Sequence, residues 1–207
     1  IEDGGGYFNT MELIEKQDIN QSYAKQVLLP FGEYLPFEEQ LPWLRNVFPF
    51  APDYRPGNQP TLFTIRNAQG ENITVIPLIC YEAVFSEQVA AGVAQGGEVM
   101  VNSSNDAWFD HIAGKKVHLA LSLFRSVEYR KYLIRVTNTG LSMVISPYGD
   151  IVEDSKLTPN KQSFAVVEVP IAAQQSFYQQ YPNVIKVIFI IIGMFIFIYC
   201  RTRYDNN

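Results

Sequence analysis

Between residues 62 and 145 the chain alternates short apolar runs with polar, glycine-bearing breaks. Leu62–Ile65 and Ile73–Ile79 read as strands, with Asn67–Gly70 as the turn between them. Ala83–Ala94 has the spacing of a helix, ended by Gly96 and Gly97, and Val99–Asn102 is a short apolar strand. Val117, Ala120, Leu121, Phe124 and Val127 recur at helical spacing, which predicts a helix over Lys115–Tyr132 with one apolar stripe. Leu133–Thr137, Leu141–Ile145 and Phe164–Val169 read as further strands, and Pro147–Asp150 as a turn. Residues 1–22 open on glycines and continue with Tyr7, Phe8, Met11, Leu13 and Ile14, a pattern that fits a strand with its turn. Strands alternating with helices predict an α/β layered domain. Neither an internal repeat nor a low-complexity tract is visible.

Two stretches break this alternation. Residues 34–60 are rich in proline and aromatics (Leu35-Pro36-Phe37, Leu41-Pro42-Trp43-Leu44, Val47-Phe48-Pro49-Phe50), so a long irregular loop is expected there. A loop this apolar is expected to act as a lid or to dip into a membrane. The second stretch runs from Tyr181 to Cys200, and its part from Val187 onward carries no charge. As a helix it would measure about 30 Å, the thickness of a bilayer core, so 182–200 is expected to be a transmembrane helix. Lys186 lies where it can snorkel, and Tyr178, Tyr181 and Tyr199 sit at the expected interfaces. Arg201 and Arg203 follow directly, which predicts a cytoplasmic tail at 201–207 and a domain, residues 1–175, on the opposite side. Such a domain needs an export signal. The chain opens on Ile1 without a charged-then-apolar leader, so it is expected to be part of a longer protein whose upstream segment carries membrane spans.

With 207 residues there is room for one sizeable core. The net charge of −5 and the absence of any Lys/Arg-rich run argue against a nucleic-acid partner, because phosphate binding needs clustered cations. Cys80 and Cys200 are the two cysteines, in contexts too different for a disulfide. Without a Cys-x-x-Cys or Cys/His cluster, no metal site and no cofactor are expected.

Chemistry points first to Cys80. It follows the apolar strand Val75–Ile79 and precedes a helix, an arrangement that holds a nucleophile exposed on a rigid support and offers backbone N–H groups to an oxyanion. A buried structural cysteine is the plainer reading. In an oxidising compartment, however, an unpaired thiol is a candidate nucleophile, and thiolate chemistry calls for a neighbouring cation. Lys25 is the candidate, set before an apolar run and Pro30-Phe31-Gly32-Glu33.

Four blocks then match a known family in order: Tyr23-Ala24-Lys25 with Leu29–Pro36, Ile79–Glu82, Ser104–Phe109 and Arg135–Gly140. Together they resemble the apolipoprotein N-acyltransferases of the nitrilase superfamily, across about Tyr7 to Val169. The resemblance implies a nitrilase-like αββα sandwich, incomplete at its N-terminus and followed by one transmembrane helix. It implies a Glu-Lys-Cys triad with Cys80 as nucleophile and Lys25 as oxyanion stabiliser. Glu33 matches a second essential carboxylate that orients the site. Tyr81 and Glu82 match the positions after the nucleophile, Trp108 a residue of the site wall, and Asn105 a supporting residue in the same block. The family's general-base Glu lies upstream of the Lys25 block and has no match here, so the stretch alone is expected to be inactive. Asp110, Lys115 and Arg130 depart from the pattern, while His118 keeps its place; these departures touch the substrate loops.

The implied reaction is ping-pong. Cys80 takes an acyl chain from a phospholipid donor as a thioester, and the amine of an apolipoprotein's lipid-modified N-terminal cysteine accepts it. The enzyme would sit in the bacterial inner membrane with its catalytic domain in the periplasm. Two alternatives stay open: a nitrilase-type amidase acting on small amides, and a membrane-tethered binding domain without catalysis.

Overall fold

The computed structural model describes residues 6–15, 18–171 and 174–205, without the side chains of residues 185 and 203–205. Two compact units, Ile1–Gln174 and Gln175–Asn207, are considered separately.

In the first unit, strands β1 (Thr10–Glu15) and β2 (Asp18–Ala24) pair antiparallel as a hairpin. A long loop holding only the short helix α1 (Leu44–Val47) leads to β3 (Phe63–Arg66) and β4 (Asn72–Ile79), as the proline content of 34–60 predicts. Then come α2 (Ser86–Ala94), β5 (Val99–Ser104), α3 (Ile112–Tyr129), β6 (Leu133–Thr137) and β7 (Met143–Ile145). The five strands β3 to β7 lie side by side in that order, with β4, β5 and β6 parallel and the two edges antiparallel.

Period-two alternation along β4 decides the layers. Ile73, Val75 and Ile79 join Tyr23, Phe63 and Val99 in a core under the hairpin. Ile76 points the other way, onto Gly92 and Gly97 at the end of α2, where a Cβ on either glycine would collide with it. The order is therefore helix, sheet, hairpin. Among the described residues, a second helical layer outside the hairpin, which an αββα sandwich requires, is not present. Side chains such as Leu78, Met100 and Leu133 are fully buried, each contributing about 1.5–3 kcal/mol.

The helix expected over Lys115–Tyr132 forms as α3, with an orientation the spacing left open. The stripe Val117, Leu121, Phe124 on α3 faces outward, with Val117 59% exposed, while Lys115, His118, Ser122, Arg125, Ser126 and Tyr129 are turned inward. The inner face is polar because the elements it meets are polar too: Arg135 and Asp106 on one side, Val84 carbonyl and Ser86 on the other. One expectation needs correction: Phe164–Val169 shows no strand ladder. Its alternation is nevertheless expressed: Ala165, Val167 and Val169 line a small cavity with Ile134 and Met143, while Phe164 is 88% exposed. Next to β7, the available edge is taken by the Ile145–Ile151 bridge.

In the second unit, α4 (Phe177–Gln180) precedes α5 (Val184–Asp205), 22 residues or about 33 Å long. Described side chains of α5 from Lys186 to Thr202 are exposed. Among the described residues, no helix is long and apolar enough to cross a membrane. The stretch 182–200, expected to span a membrane, is helical from Val184 on, and its crossing of a membrane is not shown.

Candidate active site around Cys80

Strand β4 ends where the site begins. Cys80 opens a 3₁₀ turn, Cys80–Val84, with φ of 56°, the left-handed region that costs a non-glycine residue about 1–2 kcal/mol. The sharp turn lifts the thiol off the sheet edge while the strand behind it stays buried. Glu82, fully buried, ties the turn down: its carboxylate accepts the N–H of Ile79 (2.7 Å), Gln26 (2.7 Å) and Val27 (3.1 Å) and the Tyr23 hydroxyl (2.9 Å). Burial pushes the Glu82 carboxyl up, against the backbone donors that pull it down. Burial also raises the Tyr23 phenol, helped by the negative charge of Glu82. One side chain thereby joins the Cys80 turn to the segment that carries Lys25.

Lys25, 1% exposed, directly follows β2, its N–H donated to the Asn9 carbonyl. Its Nζ donates to Glu33 Oε2 at 2.6 Å and stands 5.0 Å over the Tyr81 ring. Glu33 sits in the tight loop closed by the Pro30–Tyr34 bridge. It also accepts the Leu29 N–H (2.8 Å) and the Asn9 amide (3.0 Å). Burial works to raise the Glu33 carboxyl, but Lys25 and these two donors outweigh it and hold it below the ordinary value. The Tyr81 hydroxyl donates to the Leu28 carbonyl at 2.6 Å, and burial beside Glu33 pushes this phenol up to about 12.

These side chains meet at one cavity of about 550 Å³. Cys80, Lys25, Glu33, Tyr81, Asn105 and Trp108 all line it, so six of the seven residues expected from the sequence come together. Glu82 is the exception, lying behind the wall as a strut. The rest of the lining is largely apolar: Leu29, Val84, Phe109, Val117 and Leu121, with His118. Thus the outward stripe of α3 forms part of the cavity wall. Among the described lining residues Glu33 is the one carboxylate. A separate cavity of about 640 Å³ behind the Glu33 loop, lined by Gln26, Leu35, Glu38 and Asp53 among others, contains no cysteine.

Sequence reasoning missed the polar core beneath the cavity. Arg135 on β6, 1% exposed, donates to Asp106 (3.1 Å) and to Asn102 on β5 and stands 3.0 Å from His118 Nδ1. His118 Nδ1 also stands 3.3 Å from Asp106 Oδ1, so the ring tautomer decides whether it accepts from Arg135 or donates to Asp106. Ser104 Oγ donates to Asp106 at 2.8 Å, and Gly140 lies so close to that carboxylate that any Cβ there would collide with it. The only sequence signal was the presence of Asp106 and Arg135 inside the matched blocks. Burial alone would raise the Asp106 carboxyl; the His118 contact, the Arg135 charge and the Ser104 hydroxyl reverse that and bring it down to about 2. A depressed folded value means that Asp106 adds stability above its free value of 3.8 and loses that contribution as pH falls towards about 2. Asp106→Asn is therefore expected to cost about 3 kcal/mol at neutral pH, because it leaves a buried guanidinium without its counter-charge. In thermal melts the gap from the parent should close as pH falls through that window; a pH-independent gap would refute the account.

The described residues include no group of three or more His, Cys, Asp or Glu side chains able to hold a metal. The cavity thus joins a buried lysine–carboxylate pair to a cysteine at a strand-to-turn junction of a mixed sheet. The chain belongs to the carbon-nitrogen hydrolase family, whose pattern matches residues 2–179. Its curated relatives include the apolipoprotein N-acyltransferase of Bdellovibrio bacteriovorus, 31% identical over 84% of this chain and 32% of the relative. The apolipoprotein N-acyltransferase of Azotobacter vinelandii is 41% identical over 64% of this chain and 25% of the relative. The match thus spans between a quarter and a third of the length of these relatives. A solved mutant amidase of the nitrilase superfamily from Nesterenkonia AN1 is 22% identical, covering 73% of this chain and 51% of that one with a TM-score of 0.49.

Proposed function

We propose that this chain carries the thiol, ammonium and orienting carboxylate of an apolipoprotein N-acyltransferase. The observation that carries the reading is the meeting of Cys80, Lys25 and Glu33 at a cavity with a mainly apolar wall, which suits an acyl chain better than a small polar amide. Cys80 Sγ attacks the ester carbonyl of a phospholipid; a C–S bond forms, the ester C–O bond breaks, and the lysophospholipid leaves with a proton. The free amine of a diacylglyceryl-cysteine then attacks the thioester; an amide forms and the thiol returns. Lys25 faces the negative charge that develops on the carbonyl oxygen in both halves. Glu33 keeps the ammonium in place, and Tyr81 and Trp108 bound the acyl group. The proton carrier of this scheme is a further Glu, upstream of Lys25 in the relatives that the chain resembles.

Helix α5 supports a membrane setting: Val187–Cys200 is uncharged, with Lys186 and Arg201 at its borders. In this reading α5 anchors the protein in the bacterial inner membrane, with its tail cytoplasmic and the Cys80 domain periplasmic. Phe37, Trp43 and Phe50 on the long loop are exposed and suited to meet lipid.

The test is acceptor choice by the full-length protein. With phospholipid vesicles and a diacylglyceryl-cysteine peptide, mass spectrometry should find the peptide N-acylated. Ammonia release from small amides with an untouched peptide would instead make it an amidase.

A further inference from the structure

The left-handed backbone at Cys80 is held from two sides. Glu82 gathers the N–H groups around the turn, but it leaves the carbonyl of Cys80 itself unaddressed. That carbonyl accepts from Asn102, a fully buried residue on the neighbouring strand β5 that lies outside the cavity lining. Asn102 Nδ2 donates one hydrogen to Cys80 O at 2.9 Å and the other to Leu78 O at 3.1 Å, while its Oδ1 accepts from Arg135. Both donors and the acceptor are used, so the amide cannot flip without breaking three bonds. Arg135 is fixed in turn by Asp106 and His118.

A strained backbone conformation persists only where its surroundings over-determine it. The β4–β5 pairing reaches Ile79–Ser103, the last pair of that ladder, so the ladder stops one residue short of Cys80. Asn102 continues that work with its side chain.

We propose that Asn102 is the positioning residue of the nucleophile: its amide clamps the Leu78 and Cys80 carbonyls and thereby sets the direction of the Cys80 Sγ. It does not touch the acyl donor, and it acts only through the backbone of Cys80. The proposal rests on reading Cys80 as the acyl-accepting nucleophile. Loss of the clamp leaves the cavity and Lys25 in place but lets the thiol leave its attack geometry, and a displacement of the order of 1 Å there costs roughly a hundredfold in rate.

The experiment uses the full-length protein with Asn102→Leu, which keeps the branched shape but removes both donors and the acceptor for Arg135, and Asn102→Thr, which keeps one donor and an acceptor. Two rates are measured: alkylation of Cys80 by iodoacetamide, and thioester formation from phospholipid with kcat and KM separated. Asn102→Leu should slow both rates by roughly a hundredfold with KM unchanged, and Asn102→Thr should fall between Leu and the parent. A folded variant with parental rates overturns the proposal, and so does a fall confined to KM. Should Asn102→Leu fail to fold, Asn102→Thr decides alone: a parental rate there is equally fatal. Alkylation also separates this inference from the functional reading. If the parent forms no thioester at all, the acyltransferase assignment fails, whereas the alkylation series still tests the clamp.

Discussion

Cys80→Ser is expected to lower thioester or ester formation by roughly a thousandfold or more, about 4 kcal/mol in the barrier, with little change in the apparent affinity for phospholipid. Serine has nearly the same shape and tolerates the same turn, so the loss falls on the chemistry. A thiol ionises within reach of neutral pH and is intrinsically nucleophilic, whereas a hydroxyl needs a base poised against it. Among the described residues of the cavity the available carboxylate, Glu33, is engaged by Lys25, Leu29 and Asn9. Cys80→Gly adds a control that runs the other way. At φ 56° a glycine is free of the Cβ penalty, so this variant should be inactive yet as stable as the parent, or more stable by about 1 kcal/mol. Acyl adducts read by mass spectrometry, beside melting curves, check both. An unimpaired Ser variant would remove Cys80 from the reaction.

The strand-turn-helix signal around Cys80 was legible because every part of it is local: a β-branched run, the cysteine, then helix formers. Lys25 and Glu33 were legible as members of a short block, eight residues apart, and they do form a pair. The function of Glu82 was not, because three of its four partners, Tyr23, Gln26 and Val27, lie more than fifty residues away in sequence. The helix α3 was legible, but the face it buries was not. Its apolar stripe obeyed the helical period, and periodicity alone assigns such a stripe to the core. What turned the helix over was a set of buried polar partners on other elements, Asp106, Arg135 and the Val84 carbonyl, which reward His118 and Arg125 for facing inward. Hydrophobic patterning has no term for such a network. The same limit hid Asn102, an unremarkable polar residue in a strand until its contacts are known. Phe164–Val169 failed for a different reason: alternation reports which side chains are partly covered, as Val167 and Val169 are, but not whether a ladder partner exists.

Lys25 and Glu33 offer a case in which stability and activity should separate. The pair is nearly closed to solvent, with side-chain exposures of 1% and 13%, and its atoms stand 2.6 Å apart. Removing one partner from such a pair leaves an uncompensated charge, at a cost of about 3–5 kcal/mol. Lys25→Met is therefore expected to lower stability and to abolish thioester formation together. That result alone could not tell a catalytic ammonium from a structural one. The double variant Lys25→Met/Glu33→Gln can. It neutralises both members, and the glutamine still accepts from the Leu29 N–H, so most of the lost stability should return, to within about 1 kcal/mol of the parent. Activity should not return, because nothing then opposes the negative charge on the reacting carbonyl oxygen. The pH dependence follows from Glu33. Its folded value is depressed, so the contribution of the pair is present above the ordinary carboxylate range and fades as pH falls through the folded value. The stability gap between the parent and Lys25→Met should narrow accordingly in acid, while the double variant, which lacks the titrating carboxyl, should gain on the parent. A double variant that regains both stability and acyl transfer would reduce the ammonium to a structural prop and take away the electrostatic half of the proposed mechanism.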